Sequence, residues 1–200
     1  MAIRYVALGD SYTIGTSVEP AERFPNQLVV ALAESGVQLD LVANLGVNGY
    51  TTADLIRDEL PALESLDAEI VTVLIGVNGV VQGVSAATYE RNVTTILDAL
   101  LGRLPAERII AVAIPDYTVT PAGGDYGDPD DQHDAIVANN TIMARLAADR
   151  GITFVAIFDL SLEAAEDRSL AAEDGLHPSG EQYRRWVGRI APVAEALLAP

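Results

Sequence analysis

The sequence predicts an α/β protein, a three-layer α/β/α sandwich on a five-stranded parallel sheet. Five short apolar, β-branched runs alternate with segments of helical periodicity along the 200 residues. The first three runs each end in a polar loop containing glycine, as parallel strands do when they open together on one edge of a sheet. Half of the residues are apolar, enough for one domain, 1–200, with a full hydrophobic core.

Taken in order, residues 3–8 form the first strand, running out abruptly into Gly9-Asp10-Ser11. Residues 21–35 carry Phe24, Leu28, Ala31 and Leu32 at helical spacing, with Gly36 as the stop. Residues 39–43 make a second strand that ends in Asn44-Leu45-Gly46-Val47-Asn48-Gly49, and residues 52–66 read as a helix interrupted at Pro61. The third strand, 69–75, is apolar almost throughout, as a strand buried on both faces should be. It gives way to Gly76-Val77-Asn78-Gly79. Ser85 caps a helix whose Tyr89, Val93, Ile96, Leu97 and Leu100 form one stripe. A fourth strand, 109–114, stops at Pro115 and is followed by a long loop, 116–131, rich in Pro, Gly and Asp. A helix over about 132–150 and a strand at 153–158 come next. The last helix lines Tyr183, Trp186, Val187, Ile190, Ala194 and Leu197 along one face. With right-handed crossovers, a flavodoxin-like sheet is the most economical arrangement.

Composition removes several chemistries. There is no cysteine, so thiol nucleophiles, disulfides and thiolate metal sites are absent. All twelve cationic residues are Arg, which removes Schiff-base chemistry and the P-loop lysine. The formal charge of −17 repels phosphate backbones, so no nucleic-acid partner is expected. The same field disfavours coenzyme A thioesters and favours neutral substrates. No apolar run approaches the ~20 residues of a membrane span. The first residues enter the first strand without a charged leader or cleavage site, so the expected location is cytoplasmic.

Ser11, at a strand's carboxyl end, is placed as a nucleophile if a base and an oxyanion site lie nearby; alone, Gly9-Asp10-Ser11 is also an ordinary turn. The base has two candidates. His177 precedes Pro178 at the entrance to the last helix, and Asp174 can fold back to accept a hydrogen bond from one ring nitrogen. His133, among acidic residues, reads as a solvated side chain in a helix's first turn. Oxyanion donors are available in the Ser11 backbone N–H, the Gly46 backbone N–H and the Asn78 side-chain amide, although the Gly46 and Asn78 stretches each read as a turn too. Asp125, Asp128 and Asp130 fit no calcium-loop spacing, and no cofactor or metal is expected.

Together the four stretches resemble the SGNH hydrolases, the GDSL esterase/lipase family, whose blocks carry a Ser, a Gly, an Asn and a His. The blocks here are Gly9-Asp10-Ser11-Tyr12, with Tyr where the motif has Leu; Asn44 to Thr51; Gly76-Val77-Asn78-Gly79, with Gly83 beyond; and Asp174-Gly175-Leu176-His177-Pro178. They span roughly residues 5–185. The resemblance implies an esterase or lipase-type hydrolase acting on a small-molecule ester. Ser11 would be the nucleophile, His177 the base, Asp174 its orienting carboxylate, and Ser11, Gly46 and Asn78 the oxyanion hole. Gly79 stands where the family has Asp, which bears on how firmly Asn78 is held. The expected substrates are carboxylic esters with a short acyl chain, or acetyl groups on neutral alcohols or sugars, and Tyr117 and Tyr126 of the 116–131 loop are expected to act as a lid or to lie on a mobile surface segment. The rival readings are an acyltransferase on the same site, a non-catalytic α/β small-molecule-binding protein with a relaxed site, and a phosphate-binding module. Oligomeric state is not readable from the sequence.

Overall fold

The structure, a computed structural model, describes residues 2–199. Met1 and Pro200, the outer bounds of the domain expected over 1–200, lie outside the described residues. Five parallel strands, β1 (Ile3–Gly9), β2 (Leu39–Asn44), β3 (Ile70–Leu74), β4 (Ile109–Val112) and β5 (Thr153–Val155), pair in the order β2-β1-β3-β4-β5. This is the flavodoxin-like order, with β1 and β3 adjacent where the winding direction reverses. β1 and β3 run in register from Tyr5 opposite Ile70 to Gly9 opposite Leu74, so the Ser11 loop and the Asn78 loop emerge side by side. β3 is buried along its whole length, as a central strand covered on both faces must be.

Nine helices are described. The nucleophile segment forms a single turn, α1 (Ser11–Ile14). α2 (Phe24–Glu34) packs on the last helix, α9 (Gly180–Leu198), over one face of the sheet. α6 (Ala86–Leu101) packs on α7 (Pro129–Ala148) over the other. The shorter helices are α3 (Thr52–Asp54) and α4 (Leu60–Leu63), which contact α6, α5 (Val77–Val81), which contacts α7, and α8 (Phe158–Leu162), which contacts α9. Among the described residues no helix is long and apolar enough to cross a membrane.

Several boundaries differ from expectation, each for a local reason. The helix expected over 21–35 splits into a 3₁₀ turn at Pro20–Glu22 and α2. Pro25 cannot donate an N–H, so it is tolerated only in a first turn. α7 starts at Pro129 rather than near 132, because the Asp128 carboxylate accepts from the N–H groups of Asp130 and Asp131 and Pro129 takes the first helical position. The interruption expected at Pro61 becomes a π-type widening at Leu55–Glu59, in which the Leu60 N–H bonds back to Leu55 O. β5 is three residues long, and Phe158, expected to end it, opens α8 instead. On α9 it is Leu198 that is buried, with Leu197 only half-buried.

Candidate active site

Gly9 ends β1 at φ +150°, and a Cβ there would lie 2.1 Å from Leu74 O and 2.4 Å from Thr13 Oγ1. Only glycine permits this elbow, which turns the chain sharply from strand into α1. Asp10 caps the turn, its Oδ1 accepting the Tyr12 N–H at 3.0 Å. Ser11 takes the first helical position, 6 % exposed. Its backbone N–H has no acceptor among the described residues, as expected for a first-turn donor. The Tyr183 hydroxyl donates to Tyr12 O at 2.9 Å and ties α1 to α9.

The His177 loop is held from both sides. Ala172 N–H donates to His177 O at 2.7 Å and Ser179 N–H to Leu170 O at 2.8 Å, while Ser179 Oγ caps α9. Within the turn, Asp174 Oδ1 accepts the N–H groups of Leu176 and His177, each at 2.9 Å. Asp174 Oδ2 lies 2.6 Å from His177 Nδ1 and accepts a hydrogen bond from Ser17 Oγ, also 2.6 Å. Partial burial works to raise the Asp174 pKa, but the bonds from Ser17, His177 and the backbone outweigh it and hold the carboxyl well below its usual range. An ionised carboxylate on Nδ1 fixes the ring in the tautomer that leaves Nε2 free as an acceptor.

Asn78 stands in the first turn of α5, not in the loop its Asn-Gly dipeptide suggests, and its Nδ2 donates to Tyr50 O at 2.9 Å. That bond supplies an anchor despite Gly79, where an added Cβ would meet Val84 Cβ at an ordinary 3.6 Å. Gly46 approaches α1 so closely that a Cβ would lie 2.7 Å from Ile14 N and 2.8 Å from Asp10 O. Its N–H is directed at Asn44 Oδ1, 3.1 Å away, and Asn44 Nδ2 bonds Thr13 O at 2.7 Å.

Ser11, Asn78 and His177 line one cavity of about 60 Å³, closed by Tyr12, Val77, Val81, Leu176, Tyr117 and Tyr126. The site that the sequence assembles from distant stretches therefore converges at one edge of the sheet. Gly46 stands behind α1, outside that lining. No direct hydrogen bond joins Ser11 Oγ to His177 among the described residues, and such contacts commonly tighten only when substrate is bound. The sequence of residues 7–185 matches the family model described as GDSL-like lipase/acylhydrolase. The chain belongs to that family.

No curated protein matches the chain in sequence. Solved structures do resemble it in fold. TesA superposes with a TM-score of 0.75 at 19 % identity, covering 98 % of this chain and 99 % of that one. Axe2-W215I, an acetyl xylan esterase from Geobacillus stearothermophilus, gives 0.76 at 18 %, covering 96 % and 94 %. A Clostridium thermocellum family 3 carbohydrate esterase gives 0.77 at 17 %, covering 100 % and 98 %. At these identities the likeness shows the α/β fold of the GDSL family and no more.

Three side-chain arrangements around the site escape the sequence reading. His133 is not a merely solvated residue: its Nδ1 lies 2.6 Å from Oδ2 of the fully buried Asp116, and its ring packs 5.6 Å from that of Phe158. A second buried carboxyl, Glu59, accepts the Gly9 N–H at 2.8 Å. Burial raises its pKa to about 9 and that of Asp10 to about 7, so near neutral pH Glu59 favours the neutral acid while Asp10 is divided between its two forms. Ser17 is the third. Its only sequence signal is a hydroxyl six residues beyond Ser11, too common a residue in loops to single out.

Proposed function

We propose that the chain is a serine carboxylic-ester hydrolase, one catalytic domain over 1–200, acting on esters of short acyl groups with neutral alcohols or sugars. The observation that carries this reading is the single small cavity shared by Ser11, Asn78 and a His177 already bonded through Nδ1 to an ionised Asp174. The serine attacks the ester carbonyl while His177 Nε2 takes its proton. Asp174 stabilises the imidazolium that forms without becoming protonated itself. His177 then protonates the leaving alcohol, and a water activated by the same nitrogen releases the acid from the acyl-enzyme.

The oxyanion of each tetrahedral intermediate is received by the Ser11 N–H and by the second hydrogen of the Asn78 amide, the first being committed to Tyr50 O; the Gly46 N–H, the third donor that the family resemblance implies, is held by Asn44 Oδ1 outside the cavity lining. Fixed donors of this kind need no reorganisation as charge develops. Apolar side chains of Val77, Val81, Leu176, Tyr117 and Tyr126 around about 60 Å³ suit a short acyl group and crowd a long one. The acidic surface agrees with uncharged leaving groups, and two of the similar folds are those of a carbohydrate esterase and an acetyl xylan esterase.

A series of p-nitrophenyl esters from acetate to octanoate, run beside acetylated sugars, tests this reading. Turnover should be greatest with acetate, fall with chain length, and disappear in Ser11→Ala. A flat chain-length profile refutes the acyl-size assignment, and activity retained in Ser11→Ala refutes the mechanism.

A further inference from the structure

The segment that carries Ser11 continues through Gly15, Thr16 and Ser17. Ser17 sits at φ +65°, one of two non-glycine residues with positive φ among those described. That conformation crowds any residue with a Cβ, and it persists only where its surroundings impose it. The Ser17 hydroxyl donates to Asp174 Oδ2 at 2.6 Å, the oxygen that also faces His177 Nδ1. Its neighbour Thr16 donates from Oγ1 to Asn48 Oδ1 in the Gly46 loop. Two consecutive hydroxyls thus tie the nucleophile segment to the loops bearing Gly46 and His177.

We propose that Ser17 is a positioning residue of this site: its hydroxyl locks the Asp174 carboxylate in the orientation that presents Oδ2 to His177, and its strained backbone is retained for that bond. The proposal rests on the hydrolase reading above. Asp174 Oδ1 is already held by two backbone N–H groups, so the position of Oδ2 is what a further donor can set. The Asp174 side chain is 30 % exposed, so without the hydroxyl solvent would compete for it. A fixed hydroxyl replaces that mobile partner, and the ring keeps its proton on Nδ1 and its lone pair on Nε2 for a larger share of the time.

Three substitutions test the assignment. In Ser17→Gly the hydroxyl is lost while the positive φ becomes comfortable, so kcat should fall about tenfold, the worth of one charge-assisted hydrogen bond. KM should stay within about twofold, because no substrate contact is removed. The melting temperature should stay at or rise above that of the wild type, since relief of strain offsets the added freedom of the unfolded chain. Ser17→Ala should lose as much kcat with the strain retained. Ser17→Asn, which tolerates positive φ and offers an amide donor, should recover part of the loss. Imidazole ¹⁵N shifts should report His177 with its proton on Nδ1 in the wild type and a tautomer mixture in Ser17→Gly.

Wild-type kcat and an unchanged tautomer in Ser17→Gly would overturn the proposal, as would a loss of kcat that follows a fall in melting temperature. The hydrolase reading fails separately. It falls if Ser11→Ala and His177→Ala retain ester cleavage, whereas loss of activity in those two beside an unaffected Ser17→Gly removes only the role of Ser17.

Discussion

Both histidines of the chain are bonded through Nδ1 to an aspartate at 2.6 Å, yet the two pairs are built for opposite ends. In Asp174–His177 the partners are one turn apart, the carboxylate is partly exposed, and the ring lines the cavity that holds Ser11. In Asp116–His133 the carboxylate is sealed in the protein. Its Oδ1 takes both the N–H and the hydroxyl of Thr118, and the ring is 40 % exposed against Phe158. Asp116 lies just beyond β4 and His133 stands in the early turns of α7, so this pair fastens the two ends of the segment that brings Tyr117 and Tyr126 over the cavity. An Asp–His distance does not identify a catalytic base. What separates the two pairs is that the His177 ring lines the cavity that holds Ser11, whereas the His133 ring does not.

The contrast is broken most directly by removing each imidazole. His177→Ala should lower kcat at least ~10³-fold with p-nitrophenyl acetate, and adding Ser11→Ala should cost little more, because the residues act as a unit. His133→Ala should leave kcat within about threefold, since it removes an imidazole that touches no reacting atom. If His133→Ala matched His177→Ala, or if the Ser11 and His177 losses multiplied, the division of roles would be wrong.

Removing each carboxylate should reverse the ranking when stability is measured. Asp116→Ala deletes a buried acceptor serving Thr118 and His133, and should cost about 3 kcal/mol, lowering Tm by roughly 6 to 12 °C. Asp174→Asn, at a partly exposed site, should move Tm by less than about 3 °C while lowering kcat by about 10³ or more. Denaturation curves and kinetics on the same two variants decide the point. A large stability loss in Asp174→Asn would mean that its hydrogen bonds hold the loop rather than the imidazole.

The two pairs also mark what the sequence could and could not disclose. Asp174 and His177 are three residues apart across a glycine, a spacing readable as a single turn, and all four blocks stand at strand ends or before the last helix. The parallel sheet is legible because each strand is a short, mostly apolar run that ends in a polar loop, with Arg4 and Asp40 the charged exceptions near the starts of β1 and β2. Asp116 and His133 are separated by a loop, so nothing local marks their pairing, and His133 reads as solvated. Ser17 and Asp174 are 157 residues apart. Glu59 sits in a stretch of helical composition where a carboxylate looks like part of a solvated face, and only the π-type turn rotates it beneath Gly9. The start of α7 is hidden for a different reason: Asp128-Pro129 is a regular cap and first-turn pair set in a loop whose acidic composition obscures it.

Asp10 and Glu59 sharpen the comparison further, because they are buried carboxyls with no histidine or arginine bonded to either among the described residues. Among those residues each leaves one oxygen without a hydrogen-bond partner, Asp10 Oδ2 and Glu59 Oε1. Where Ser17 and His177 help to hold Asp174 ionised, burial pushes these two towards the neutral acid, with pKa values of about 7 and about 9. A folded-state pKa raised above the unfolded value gives stability that is present at low pH and lost as pH climbs through the folded value. Wild-type stability should therefore decline from about pH 5 towards pH 9. Glu59→Gln keeps a carbonyl for the Gly9 N–H and cannot ionise. It should melt about 5 °C above the wild type near pH 8, with the advantage vanishing by about pH 4, where Glu59 is protonated in both states. Parallel melting curves for the two proteins across that range would show that Glu59 is ionised in the fold, and the difference between the Asp10–Glu59 and Asp174 environments would have to be redrawn.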